Sequence, residues 1–290
     1  MAVAYLEGEL VEMCNTLLAL EPLNTYQCKC SLGEGLLVCD GDAAWVDINS
    51  NSIFISDYSE ILKYKTTSTP SVAFGFDHQY IHFGSDSGLV SLCRETGKEQ
   101  RLIARPPNVT SEYRSNDGGW CGEYQLLSFM HRSKPNVHAG YIYRLSHGSW
   151  DLLDDSIYIP NTFVEIEPSK ILISDSLKGE IWLYELNTNG AVANKKLWAQ
   201  TESGIAPDGG CLVGEYVLIS LWDGAGIGVF TKTGELKQTL QLPVLRPTNC
   251  KYDSERSALW VTSASDGLTL DQLVEYPESG GTFVFNLDFL

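Results

Sequence analysis

Four polar residues recur at a regular interval along the chain, three of them directly beside glycine or proline and the fourth two residues before a glycine. Glu34 lies in Leu32-Gly33-Glu34-Gly35, and Asn116 lies 82 residues later in Arg114-Ser115-Asn116-Asp117-Gly118. Asn161 follows Pro160 after a further 45, and Asp208 lies in Ala206-Pro207-Asp208-Gly209. Two carboxylates and two carboxamides offer oxygen ligands, a set suited to calcium, magnesium or manganese, with zinc also admissible. The same residue types are common in turns, so spacing alone leaves a metal site and a row of turn residues both open. No histidine is needed: His78, His82, His131, His138 and His147 show no metal-spaced pair on a helix.

Short β-branched and aromatic runs bounded by Gly, Asp, Asn and Ser must position these residues, because helix-period patterning is scarce. Ala44–Ile48, Ser52–Ser56, Ile181–Tyr184, Gly228–Phe230 and Thr282–Phe285 are such runs. Comparable strands recur as Ile171-Leu172-Ile173-Ser174-Asp175, Val217-Leu218-Ile219-Ser220-Leu221 and Leu259-Trp260-Val261-Thr262-Ser263, with starts 46 and 42 residues apart. A period in the low-to-mid forties with four short strands per unit marks propeller blades. The 290 residues accommodate six, so the expectation is an all-β six-bladed propeller forming a single domain over 1–290.

Equivalent loops of successive blades open at one end of the central channel, which would bring Glu34, Asn116, Asn161 and Asp208 together. Blade two would contribute near Ser71, and Trp222 is a candidate pocket wall. Ring closure requires the strand-like segment before Glu34 to share a sheet with 281–290. Gly224-Ala225-Gly226-Ile227-Gly228 lacks phosphate-loop spacing and reads as a blade turn. Cys28 and Cys30 have no second pair at zinc spacing and would share one face of a strand.

With 20 basic and 37 acidic residues the formal charge is −17, which argues against nucleic acid and anionic membrane as partners. No run of about 18 apolar residues exists, and the first residues lack the pattern of a signal peptide. The expectation is a cytoplasmic protein whose eight cysteines are reduced.

At these same segments, from Leu32 to about Phe285, the sequence resembles the family of gluconolactonase, senescence marker protein (regucalcin) and luciferin-regenerating enzyme. The motifs are Leu32–Gly35 with Trp45-Val46-Asp47-Ile48, then Arg114–Gly118, Pro160-Asn161, Pro207-Asp208-Gly209 with Leu221–Gly224, and Arg246-Pro247-Thr248 with Val261–Ala264. The resemblance implies a six-bladed propeller that hydrolyses a sugar lactone with one divalent metal ion. It implies Glu34, Asn161 and Asp208 as metal ligands, Asp208 also as general base, and Arg114 and Asn116 as substrate-binding residues. Three departures stand out: Leu36-Leu37-Val38-Cys39 replaces a Pro and Trp after the first motif, Thr162 stands where glycine usually follows the ligand Asn, and Phe129–Ser133 replaces acidic residues. His131 and Arg132 would either meet an acidic group of the substrate or belong to a solvated loop. A propeller esterase or phosphotriesterase and a non-catalytic calcium-binding propeller are the alternative functions.

Overall fold

A computed structural model describes residues 17–287. Two strands, β1 (Leu17–Ala19) and β2 (Pro22–Tyr26), precede the first complete blade. Blade one is β3 (Gly33–Cys39), β4 (Asp42–Asp47), β5 (Ser52–Ser56) and β6 (Ile61–Lys65). Blade two is β7 (Pro70–Phe76), β8 (Tyr80–Ser85), β9 (Gly88–Cys93) and β10 (Glu99–Ala104), and blade three is β11 (Tyr113–Cys121), β12 (Tyr124–His131), β13 (Tyr141–Ser146) and β14 (Ser149–Asp154). Blade four is β15 (Pro160–Glu167), β16 (Lys170–Asp175), β17 (Glu180–Leu186) and β18 (Val192–Gln200). Blade five is β19 (Ala206–Val213), β20 (Tyr216–Trp222), β21 (Gly226–Thr231) and β22 (Leu236–Gln241). Blade six adds β23 (Pro247–Asp253), β24 (Ala258–Ser263) and β25 (Thr282–Asn286), and β2 completes it as the fourth strand.

The six sheets form the expected six-bladed propeller, with the first strands β3, β7, β11, β15, β19 and β23 in mutual contact around the axis. Closure occurs where the sequence placed it: β2 runs antiparallel to β25, pairing Asn24 with Val284 and Tyr26 with Thr282. An addition not foreseen is β1, which lies parallel to β22 and covers the outer edge of blade five. Cys28 and Cys30 fall after β2 rather than on a strand, so their spacing is that of a loop leaving the sheet. Of the glycine-rich segment after Trp222, only Gly224 and Ala225 lie in the β20–β21 turn, while Gly226, Ile227 and Gly228 begin β21. No helix among the described residues is long and apolar enough to cross a membrane.

Six apolar clusters lie between neighbouring blades rather than around one centre. Ile171 and Ile173 join the wedge between blades three and four, while Leu172 between them joins the wedge between four and five. Val217 and Ile219 alternate with Leu218 in the same way one blade on. Successive strand residues point to opposite faces, and both faces of each blade are covered, which is why these strands read as continuous apolar runs. The aspartate ending β16 then staples the loop that enters the site: Asp175 accepts from the N–H groups of Tyr158 and Ile159 at 3.1 and 3.2 Å. Asp47 repeats this in blade one with Ser31 and Leu32 at 3.2 and 3.0 Å.

At the closure, the Tyr26 ring stacks on Trp260 at 5.5 Å and 3°, while its buried hydroxyl has no hydrogen-bond partner. Tyr26→Ala should therefore cost about 3–5 kcal/mol in urea unfolding, whereas Tyr26→Phe should change stability by less than about 1 kcal/mol or raise it. Equal losses in the two variants would contradict the stack as the closing contact.

Candidate active site

The residues singled out from the sequence lie inside the innermost strands, not in the loops before them: Glu34 in β3, Arg114 and Asn116 in β11, Asn161 in β15 and Asp208 in β19. In each of these strands the pairing register breaks at that point, between Glu34 and Leu37, Ser115 and Gly118, Asn161 and Val164, and Pro207 and Gly210. A bulge adds residues to one strand and re-aims a side chain, so a position that would face a neighbouring blade turns to the axis instead. Gly35 has φ +58° in the first bulge, and a Cβ there would collide with the Ser71 carbonyl and the Val72 Cα.

All five residues line one cavity of about 560 Å³, with Trp222 on its wall as expected. A relay of hydrogen bonds crosses blades three to five. Arg114 Nη1 donates to Asn116 Oδ1 at 2.8 Å and to the Ser115 carbonyl at 2.9 Å. Asn116 Nδ2 donates to Asn161 Oδ1 and to the Pro160 carbonyl, both at 2.9 Å. Asn161 Nδ2 donates to Ser176 Oγ at 2.9 Å, and Ser176 Oγ donates to the Pro207 carbonyl at 2.7 Å. Both carboxamides are thereby fixed in orientation, and Asn161 Oδ1 keeps one lone pair beyond the bond it accepts.

The electrostatics are dominated by burial. Burial, and then the charges of Asp208 and Asp117, push Glu34 well above the ordinary glutamate value against the pull of Arg114 and the Gly35 N–H. Burial and Asp117 do the same to Asp208, opposed by the Gly209 N–H and Arg114. Arg114 is lowered to about 10 by burial, although Glu34 and Asp208 favour its charge. Asp208 Oδ1 is buried without any hydrogen-bond partner. A buried acceptor left unpaired is costly, and an oxygen-binding cation would satisfy it while offsetting the carboxylate charge. Among the described residues no group of three or more His, Cys, Asp and Glu side chains is arranged to hold an ion, whereas two carboxylates and a carboxamide oxygen line this one cavity, a donor set that suits an oxygen-binding cation. Glu34, Asn161 and Asp208 make up that set.

Asp117, within the Arg114–Gly118 motif, lies behind the cavity lining. It is buried in β11, and burial raises its carboxyl to about 6 against the opposing charge of Lys251 and the Gly118 N–H. Ser71 is absent from the cavity lining: it is buried, with its hydroxyl directed to the Gly84 carbonyl at 3.4 Å. Neither His131 nor Arg132 lines the cavity. His131 is buried at the end of β12 and its Nδ1 accepts from the Ser133 and Lys134 N–H groups, while Arg132 pairs with Asp86 at 3.1 Å.

A model of the SMP-30/gluconolactonase/LRE-like region matches residues 32–265. The chain is 27% identical over 269 residues to an L-arabinolactonase of Azospirillum brasilense, covering 88% of each. It is 24% identical to human regucalcin over 284 residues, covering 90% of this chain and 94% of the other. Among solved structures, a calcium-binding regucalcin from Agrobacterium tumefaciens superposes with a TM-score of 0.85 at 20% identity, over 94% of this chain and 95% of that one.

Thr162, directly after Asn161, has φ +58° although it is β-branched, a conformation that costs about 1–2 kcal/mol. Its buried hydroxyl donates to the Asp208 carbonyl and lies 2.9 Å from Ser174 Oγ, tying blade four to the backbone of Asp208. Thr162→Gly trades relieved strain for lost bonds and added chain entropy, and should stay within about 1 kcal/mol of the parent. Thr162→Val keeps the strain and loses both bonds, and should cost about 2–3 kcal/mol in denaturant unfolding. A Val variant as stable as the parent would contradict the hydroxyl's role.

Proposed function

Since the chain belongs to the SMP-30/gluconolactonase/LRE-like family, we propose that it hydrolyses a sugar lactone to the aldonic acid, using one divalent cation held by Glu34, Asn161 and Asp208. The observation that carries this is the unpartnered, buried Asp208 Oδ1 in a cavity that also holds Glu34 and Arg114. Similarity to an L-arabinolactonase over most of both chains supports the substrate class. All seven described cysteines are free thiols, which supports the cytoplasm as its location.

A divalent cation bound there supplies Lewis acidity and counter-charge at the lactone carbonyl. Asp208 accepts the proton of the attacking water on its carboxylate. It returns that proton to the ring oxygen as the acyl C–O bond breaks, so the water is fully accounted for in the hydroxy acid. Arg114 has both Nη1 hydrogens engaged by the protein. Its remaining donors supply a rigid fork for the ring hydroxyls. Asn116 has given both Nδ2 hydrogens to Pro160 and Asn161, so it offers substrate a single acceptor lone pair. Its larger task is to hold Arg114 and Asn161 in register. Leu32, Met130 and Ile159 supply apolar wall around these groups and help to exclude bulk water.

Proton release from five- and six-membered aldonolactones should be measured with and without chelator. Turnover should require the cation, Asp208→Asn should lower kcat about 10²–10⁴-fold without unfolding, and Arg114→Ala should act mainly on KM. Parent-rate turnover by Asp208→Asn would remove it as proton acceptor. Absence of turnover on every lactone by the cation-supplied protein would remove the hydrolase assignment.

A further inference from the structure

The cavity has two unlike sides. Glu34, Arg114, Asn116, Asn161 and Asp208 are polar and converge on blades one and three to five. The outer wall, built from the connections around blades four and five, instead presents Ile159, Leu177, Ile205 and Trp222. Leu177 is left 43% exposed, so the wall has apolar surface that nothing in the fold covers.

Several polar groups on that wall are already engaged by the protein. Thr201 Oγ1 donates to the Ile205 carbonyl at 2.6 Å, and the Thr201 N–H donates to the Gly179 carbonyl at 2.9 Å, which binds the two loops of the wall to each other. Lys178 Nζ lies 4.9 Å from the Tyr158 ring centre and 4.0 Å from Asp175. Asp223 pairs with Arg246 at 2.6 Å, and that guanidinium lies 4.8 Å over Trp222. Ile205 packs close to Gly224, where a Cβ would stand 3.0 Å from its Cγ2. Glu202 and Ser203 are exposed at the rim. The result is a preformed apolar ledge facing a polar floor.

The cavity of about 560 Å³ is of the size that takes drug-sized ligands and leaves room beside a bare six-carbon aldonolactone. The lactone's hydroxyls would find partners on the floor, whereas those turned to the ledge would give up water for carbon. We propose that the substrate is a sugar lactone carrying an apolar substituent, an alkyl, acyl or aryl group, which lies on Ile159, Leu177, Ile205 and Trp222 while the ring's polar edge meets Arg114. This rests on the lactonase function proposed above and narrows it.

Lactams keep the ring shape and resist hydrolysis, so binding can be read without turnover. Isothermal titration of the calcium-supplied protein should show 6-O-hexyl-gluconolactam, which keeps the ring hydroxyls, binding at least about tenfold tighter than gluconolactam. Leu177→Ser and Ile205→Ser should each reduce that preference at least about threefold. Equal or tighter binding of gluconolactam, no binding of the hexyl lactam, or a preference unchanged in both variants would overturn the proposal. A retained hexyl preference in a protein that turns over no lactone would remove the lactonase function and leave the ledge as an apolar binding site.

Discussion

Two carboxylates, Glu34 and Asp208, are buried around one axis with Arg114 as the cation that lowers both. Like charges in a dry site repel strongly, and the guanidinium is itself disfavoured by burial. The arrangement is costly to the fold unless more positive charge enters, which links the site's chemistry to the stability of the scaffold. A cation that binds the folded chain alone would stabilise it by mass action.

The scaffold answers this constraint with ties between neighbouring blades at the backbone of the site residues. Thr248 Oγ1 donates to the Gly33 carbonyl beside Glu34, Asn116 donates to the carbonyl before Asn161, and Thr162 donates to that of Asp208. Ser176 and Ser174 both reach the Pro207 carbonyl. Each tie crosses a blade boundary, so the placement of one acidic group depends on the packing of the next wedge. The separation of blade one from blade five is set by blade six, which is whole only because β2 joins β25. Closure of the ring and geometry of the site are therefore one problem.

Much of the fold was legible because every central strand has two buried faces. The runs at 171–175, 217–221 and 259–263 advertise that burial, and their spacing gives the blade count. The convergence of Glu34, Arg114, Asn116, Asn161 and Asp208 was legible from the same period, together with the family motifs. Their location inside strands was not, since a bulge leaves the same Gly and Pro punctuation as a loop. The burial of Asp117 leaves no mark on its motif, and β1 was too short to show a pattern. The left-handed backbone at Thr162 could be suspected from the family's glycine, but the hydroxyl bond that accompanies it exists only in three dimensions. The burial of His131 was equally out of reach, because the backbone groups its ring accepts from follow it in a loop.

The central claim is that Glu34, Asn161 and Asp208 share a single cation. Its most direct test is titration of chelator-treated protein with calcium, magnesium, manganese and zinc, with bound metal counted by elemental analysis in the parent, Glu34→Gln and Asn161→Ala. The expected result is one ion per chain for at least one metal, held at least about tenfold more weakly by each variant, with circular dichroism unchanged. No bound ion with any of the four metals, or parent affinity in both variants, would contradict it.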